Sequence, residues 1–150
     1  MKTSDRKTHQ ILQVLEEDGR ISNLALADAV GLSPSACLRR VQELKRSGII
    51  RGYRASINQA LLGKALTAYL AVGLNNHTKA AQRAFEQAIA RAEEVRECHN
   101  VTGDVEYLLR VEVADTAAYK TFHTDVLGTL PQVRSITTYM VLESPKDQRG

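Results

Sequence analysis

The sequence predicts an α+β protein in two parts: an N-terminal winged helix-turn-helix domain and a C-terminal ferredoxin-like βαββαβ domain. Three observations predict it. Residues 6–46 carry three short stretches with apolar residues at helical spacing, the last two separated by a glycine turn. Residues 66–142 switch between period 2 and helical period in the order β-α-β-β-α-β. The charge is also uneven. Residues 1–60 hold ten Lys and Arg against six Asp and Glu, whereas residues 61–150 hold ten against eleven. A basic front and a near-neutral back suggest two modules with different partners.

The first helix is expected in DRKTHQILQVLEED, where Ile11, Leu12 and Leu15 recur at helical spacing, and Asp18-Gly19 ends it. Ser22 can cap the next segment, NLALADAV, whose Leu24, Ala25, Leu26, Ala29 and Val30 are expected to be mostly buried. Gly31-Leu32 supplies the turn. Ser33 caps a third helix with Pro34 at its first position, where a missing N–H costs nothing, and Gly48 stops it near Ser47.

Cys37, Val41 and Leu44 fall at i, i+4 and i+7 of that third helix, so this stripe faces a core. Ser35, Leu38, Arg39, Gln42 and Arg46 point elsewhere. A basic, hydroxyl-bearing outer face on a core-packed helix fits the major groove of double-stranded DNA, which is about 12 Å wide. Arginine can bond a guanine edge twice, serine can reach a base or a phosphate, and leucine can touch a thymine methyl group. Arg40 flanks the core stripe, where it either braces the helix or grips a phosphate. The competing reading of these charges is an ordinary solvated face. After Gly48, residues 49–57 alternate like a short hairpin or wing, with Arg51 and Arg54 available for phosphates.

In the second module Leu66, Ala68, Leu70, Val72 and Leu74 alternate strictly, as in a strand. Residues 77–92 are helical, with Ala81, Phe85, Ala88, Ile89 and Ala92 on one stripe. A strand over 95–101, a turn at Gly103-Asp104, and a strand with Tyr107, Leu109, Val111 and Val113 on one face follow. Asp115 can cap a second helix with Ala118, Tyr119, Phe122, Val126 and Leu127 on its apolar face, and a strand over 133–142 completes the pattern. Both helices are expected on one face of a four-stranded antiparallel sheet. Tyr69, Ala71, Tyr139 and Val141 have the opposite parity. An exposed sheet face that carries apolar residues usually marks an interface, so the module is expected to dimerise.

Other classes find little support. Cys37 and Cys98 match no metal or redox spacing and are expected to be small buried thiols. His9, His77, His99 and His123 are scattered, so no metal is expected. The apolar stretch 61–74 is interrupted by Gly63, Lys64, Thr67 and Gly73, and MKTSDRKTHQ has no apolar core. A cytoplasmic protein with no membrane partner is expected. There is no nucleophile motif or phosphate-binding glycine loop, so the chain is not expected to be an enzyme.

Asp5-Arg6-Lys7 ahead of Ile11-Leu12, DGRIS (18–22), LADAVGLSPS (26–35), RRVQELKRSGII (39–50), Gly52-Tyr53, TGDVEYLLRVEV (102–113) and LPQVRSITTYMVL (130–142) stand in this order along nearly the whole chain. In these residues the sequence resembles the Lrp/AsnC family of amino-acid-responsive transcription regulators. The resemblance implies a winged helix-turn-helix DNA-binding domain over 1–53, a connecting strand over 54–64, a ligand-binding and oligomerisation domain over 65–145, and a polar tail over 146–150. It implies a homodimer that assembles to a tetramer, octamer or higher form. No cofactor is implied beyond a small effector, an amino acid, bound between dimers. The effector positions that carry over are Val101, Thr102, Gly103, Asp104, Val105, Glu106 and Tyr107, with Ser135, Thr137 and Thr138 contributed from a partner. The family commonly has aspartate where Glu106 stands, so the effector cannot be copied from a relative.

The loop chemistry agrees with that role without requiring it. Gly103 admits close backbone approach, and amides around it can bind a carboxylate. Asp104 or Glu106 can hold an ammonium group. A plain turn built on Gly-Asp is the alternative. The function expected is a sequence-specific DNA-binding regulator. Its contacts would come from Ser33, Ser35, Leu38, Arg39, Arg40, Gln42, Lys45, Arg46, Arg51 and Arg54. The alternative is a low-specificity, nucleoid-associated organiser of the same fold.

Overall fold

A computed structural model describes residues 5–149. Residues 1–4 and Gly150, the ends of the expected N-terminal module and tail, lie outside the described residues. The chain divides into two compact units, one running to Ser56 and the other beginning at Ile57.

The first unit holds α1 (Arg6–Glu17), α2 (Asn23–Val30) and α3 (Pro34–Arg46). Each starts on a side chain that accepts from a backbone N–H of the first turn: Asp5 from Lys7, Ser22 from Ala25, and Ser33 from Ala36. Gly31 closes α2 at φ 67°, a left-handed conformation that suits glycine. Ile11, Leu26, Ala27, Val30, Cys37, Val41 and Leu44 form the core, with Ile50 packed against it.

Two expectations fail here. In α2 the buried residues are Leu26, Ala27 and Val30, whereas Leu24 is 70% exposed and Ala25 and Ala29 are exposed too. An eight-residue helix can turn only one narrow stripe inward, and this stripe runs through Ala27 rather than Ala25 or Ala29. The hairpin over residues 49–57 is not formed within the chain; residues 51–58 are exposed and lack strand pairing. Alternation supplies no ladder partner, and a strand without one does not persist.

The second unit contains β1 (Leu66–Leu74), α4 (Lys79–Ala90), β2 (Val95–Asn100), β3 (Tyr107–Val113), α5 (Thr116–Asp125) and β4 (Val133–Met140). The sheet order is β2-β3-β1-β4, with every neighbouring pair antiparallel. Thr78 and Asp115 cap the two helices. Ala68, Leu70, Val72, Tyr107, Leu109 and Val111 face Phe85, Ile89 and Phe122 in one core.

The register puts Thr67, Tyr69, Ala71 and Gly73 on the open face, beside Leu108, Arg110 and Glu112 of β3 and Ser135, Thr137 and Tyr139 of β4. This face is mixed in character. Tyr139 is 61% exposed, while Arg110 forms ion pairs with Glu112 and with Glu97 of β2. The chain's end folds onto the same face: Arg149 pairs with Asp147 at 2.6 Å and with Glu97 at 3.1 Å. Tail residues join Tyr69 and Glu97 around a cleft of 480 Å³.

Cys98 corrects a third expectation. Only Cys37 is buried; Cys98 is exposed on the edge strand β2. Partial burial, and secondarily the Glu86 carboxylate, push its thiol up to about 11.

Candidate nucleic-acid interface and effector loop

The face of α3 opposite its buried stripe is open. Ser33, Ser35, Leu38, Arg39, Gln42, Lys45 and Arg46 are all exposed, as are Arg51 and Arg54 beyond the helix. Their spacing follows from the helix itself. Burying Cys37, Val41 and Leu44 leaves positions 35, 38, 39, 42 and 46 outside.

These side chains are not equivalent. Arg39 is exposed and, among the described residues, makes no ion pair. Arg46 is held by Glu43, one turn earlier, through bonds of 2.8 and 2.5 Å. The pair lowers the pKa of Glu43 and raises that of Arg46. Lys45 lies 5.3 Å from the centre of the Tyr53 ring, a cation–π contact. The Ser33 hydroxyl is engaged with the Ala36 N–H at 3.2 Å, so it serves the helix start.

Arg40 resolves toward the bracing role. Its Nη1 pairs with Asp5, the N-cap of α1, and lies 3.4 Å from the buried Thr8 hydroxyl. Its side chain is 36% exposed. Asp5 is thus shared between its own helix and α3. Sequence reasoning assigned Asp5 neither the cap of α1 nor its partner, 35 residues away.

In the second unit, residues 101–106 form a loop closed at its base. The Val101 N–H donates to Glu106 O at 2.9 Å, and Asn100 Nδ2 donates to the same oxygen at 3.0 Å. Thr102, Gly103 and Asp104 are exposed at the tip. Gly103 has φ 126° and open space where a Cβ would stand, so backbone conformation alone selects glycine.

Glu106 is not an open ligand group. Its carboxylate accepts from the Leu74 N–H at 2.6 Å and meets His77 Nδ1 at 3.0 Å. Tyr107 is likewise turned away from the loop. It is buried against Phe85, with ring centres 4.6 Å apart, and its hydroxyl donates to Glu86 at 2.6 Å. Burial, and then the Glu86 carboxylate, hold the phenol well above its usual range. Parity explains the placement, because Tyr107 starts the inward-facing series of β3.

Parity also separates the β4 positions. Ser135 and Thr137 lie on the open face and are exposed. Thr138 faces the helices, and its hydroxyl contacts that of Tyr119. The three therefore do not present one surface. Gly73 makes room for Ser135: a Cβ there would stand 2.5 Å from the serine hydroxyl. Sequence reasoning missed Asp5, Tyr53, His77 and Glu86 as partners of these residues. Each meets its partner across a separation that no local pattern encodes.

The family described as Lrp/AsnC ligand binding domain matches residues 67–150. The family described as winged helix-turn-helix DNA-binding matches residues 4–51. The chain belongs to the Lrp/AsnC family. It is a DNA-binding transcriptional regulator, not an enzyme. Among Lrp/AsnC relatives, the leucine-responsive regulatory protein of Klebsiella pneumoniae is 41% identical over 145 residues, covering 97% of this chain and 88% of its own. Escherichia coli K12 carries a leucine-responsive regulatory protein with the same identity and coverage. A transcriptional regulator from Neisseria meningitidis, solved as an L-methionine complex, superposes with a TM-score of 0.90 at 34% identity, covering 95% of this chain and 92% of its own. Among the described residues, no helix of this Lrp/AsnC chain is long and apolar enough to cross a membrane.

Proposed function

We propose that this regulator reads operator DNA through α3 and answers to an amino acid held at the β2–β3 loop. The observation that carries the reading is the exposed row Ser35, Leu38, Arg39 and Gln42, set opposite the buried stripe of the same helix. In this reading these four side chains meet base edges, with Arg39 the strongest discriminator. Lys45, Arg46, Arg51 and Arg54 neutralise phosphates and make binding salt-dependent. Ser33 and Arg40 keep the helix in place, and Arg40 reaches a phosphate only at the expense of Asp5.

The amino-acid part is supported by the loop's form and by relatives. The Neisseria meningitidis regulator and the feast or famine regulatory protein of Mycobacterium tuberculosis were both solved with L-methionine. The second is 30% identical, with a TM-score of 0.82 and coverage of 97% of each chain. Amides around Gly103 suit a carboxylate. Asp104, exposed at the tip, suits the ammonium, since Glu106 is already engaged. Thr102, Val101 and Val105 shape the rest, and Ser135 and Thr137 come from a neighbouring subunit.

A homodimer through the open sheet face, and higher assembly from it, completes the proposal. Exposed Tyr69, Leu108 and Tyr139 on that face support it. A dimer presents two copies of α3 to half-sites about 34–36 Å apart, or a multiple of that. The division we adopt is 1–53 for DNA binding, 54–64 as connector, 65–145 for effector and assembly, and 146–150 as tail. The setting is the cytoplasm, with no membrane partner.

The test is operator binding and sedimentation velocity with each of the twenty amino acids in turn. The expected result is one amino acid that shifts both. No shift with any of them, and no calorimetric binding, removes the effector from the proposal. Equal affinity for operator and random DNA at fixed salt removes the sequence selectivity.

A further inference from the structure

Glu106 is the hub of the loop base. Its N–H donates to Val72 O at 3.2 Å, and its carbonyl accepts from Val101 and Asn100. One carboxylate oxygen receives the Leu74 N–H, and the other faces His77 Nδ1 at 3.0 Å. The carboxylate is nearly enclosed, its side chain 11% exposed, whereas His77 is 80% exposed. A single solvent-facing imidazole therefore covers the outer side of a carboxylate that fixes the loop to the end of β1.

We infer that His77 is a positioning residue for the 101–106 loop, acting through Glu106. Its Nδ1 stands against one carboxylate oxygen while the Leu74 N–H holds the other, so the imidazole helps fix the carboxylate that ties the loop base to β1. Among the described residues, no other charged side chain pairs with Glu106. Arg134 of β4 donates from Nε to Leu74 O at 3.4 Å. Lys79 at the start of α4 and Asp104 at the loop tip are exposed.

The consequence for ligand binding rests on the reading of this loop as the effector site. A loop already held in place loses less freedom when a ligand binds, so losing the His77 contact lowers affinity.

Two arms test this on the full chain, in wild type, His77→Ala and His77→Gln. The first is hydrogen–deuterium exchange of the peptide spanning 99–107, compared among the variants at one pH, so that intrinsic exchange cancels. At pH 6 the peptide in H77A is expected to exchange about two- to fivefold faster than wild type, the range for an ion pair with one partner in water. H77Q, which can still donate to the carboxylate, should fall between them. Equal exchange in H77A and wild type overturns the inference. The second arm is calorimetry with L-methionine at the same pH. Weaker binding in H77A than in wild type, with H77Q between them, supports the link to the ligand, and equal affinities overturn it. If L-methionine does not bind, the effector reading fails for that ligand, and the exchange arm still decides the role of His77.

Discussion

Asp5 and Arg40 join the start of α1 to the flank of α3. The same Asp5 carboxylate that caps α1 through the Lys7 N–H also receives the Arg40 guanidinium. Lys7 in turn donates from Nζ to Val30 O at the end of α2. Three helices are thus tied by polar contacts around the apolar core, leaving the outer face of α3 free.

The first prediction concerns acid. Arg40, and then the Lys7 N–H, hold the Asp5 carboxyl below the usual aspartate range. A carboxyl whose pKa is lower when folded binds protons more tightly in the unfolded chain. Its contribution is therefore fully present above about 3.8 and is lost as pH falls through the lower folded value. Thermal melts of the first unit from pH 6 to pH 3 should fall more steeply in wild type than in Asp5→Asn. Parallel curves would mean that the pair adds nothing in solution.

A second prediction separates reading from gripping. Arg39→Ala should lower operator affinity by about 1–3 kcal/mol and blur preference at one base position. Arg51→Ala should weaken operator and random DNA alike and reduce the salt slope by about one unit. A base-by-base binding profile of both variants checks this. Equal losses for R39A on both DNAs would make Arg39 a phosphate contact.

Local features were legible in the sequence because their causes are local. Ser22, Ser33 and Asp115 cap the helices they were expected to cap, since a cap needs only the next three residues. β1 runs over 66–74 because alternation and burial coincide there. The expectations that failed depended on distant partners. Residues 49–57 alternate but find no ladder within the chain. Thr138 and Tyr107 are effector positions that the resemblance implies, and parity, which the resemblance does not convey, turns both toward the helices. Cys98 stands on an edge strand, where burial ends. The Glu106–His77 pair spans 29 positions, with α4 and β2 between, so no spacing rule announces it.

The third prediction tests the loop backbone. Gly103 has φ 126°, a conformation that costs a side chain about 1–3 kcal/mol. Gly103→Val should therefore change effector binding through loop shape, since no atom stands within 4 Å to clash. DNA binding without effector should be unchanged. Calorimetry paired with operator binding checks it. A variant that binds amino acid normally would leave only the turn role for Gly103.

Glu43 gives the last prediction. It occupies Arg46 with two hydrogen bonds while lying on the same helix that is to meet a polyanion. Phosphate must compete with that carboxylate for the guanidinium, and Glu43 itself adds unfavourable charge near the duplex. Removing its charge releases Arg46 and the repulsion together. Glu43→Gln should therefore tighten binding to random DNA at low salt and steepen the log–log salt dependence, by up to about 0.9 for one added phosphate contact. The gain should shrink as salt rises, because both effects are screened over about 10 Å at 0.1 M. Because the effect is on backbone contacts, operator and random DNA should gain alike, and the specificity ratio should stay flat. Titrations at four salt concentrations on both DNAs measure slope and ratio together. An unchanged slope would show that Arg46 does not leave Glu43 for phosphate.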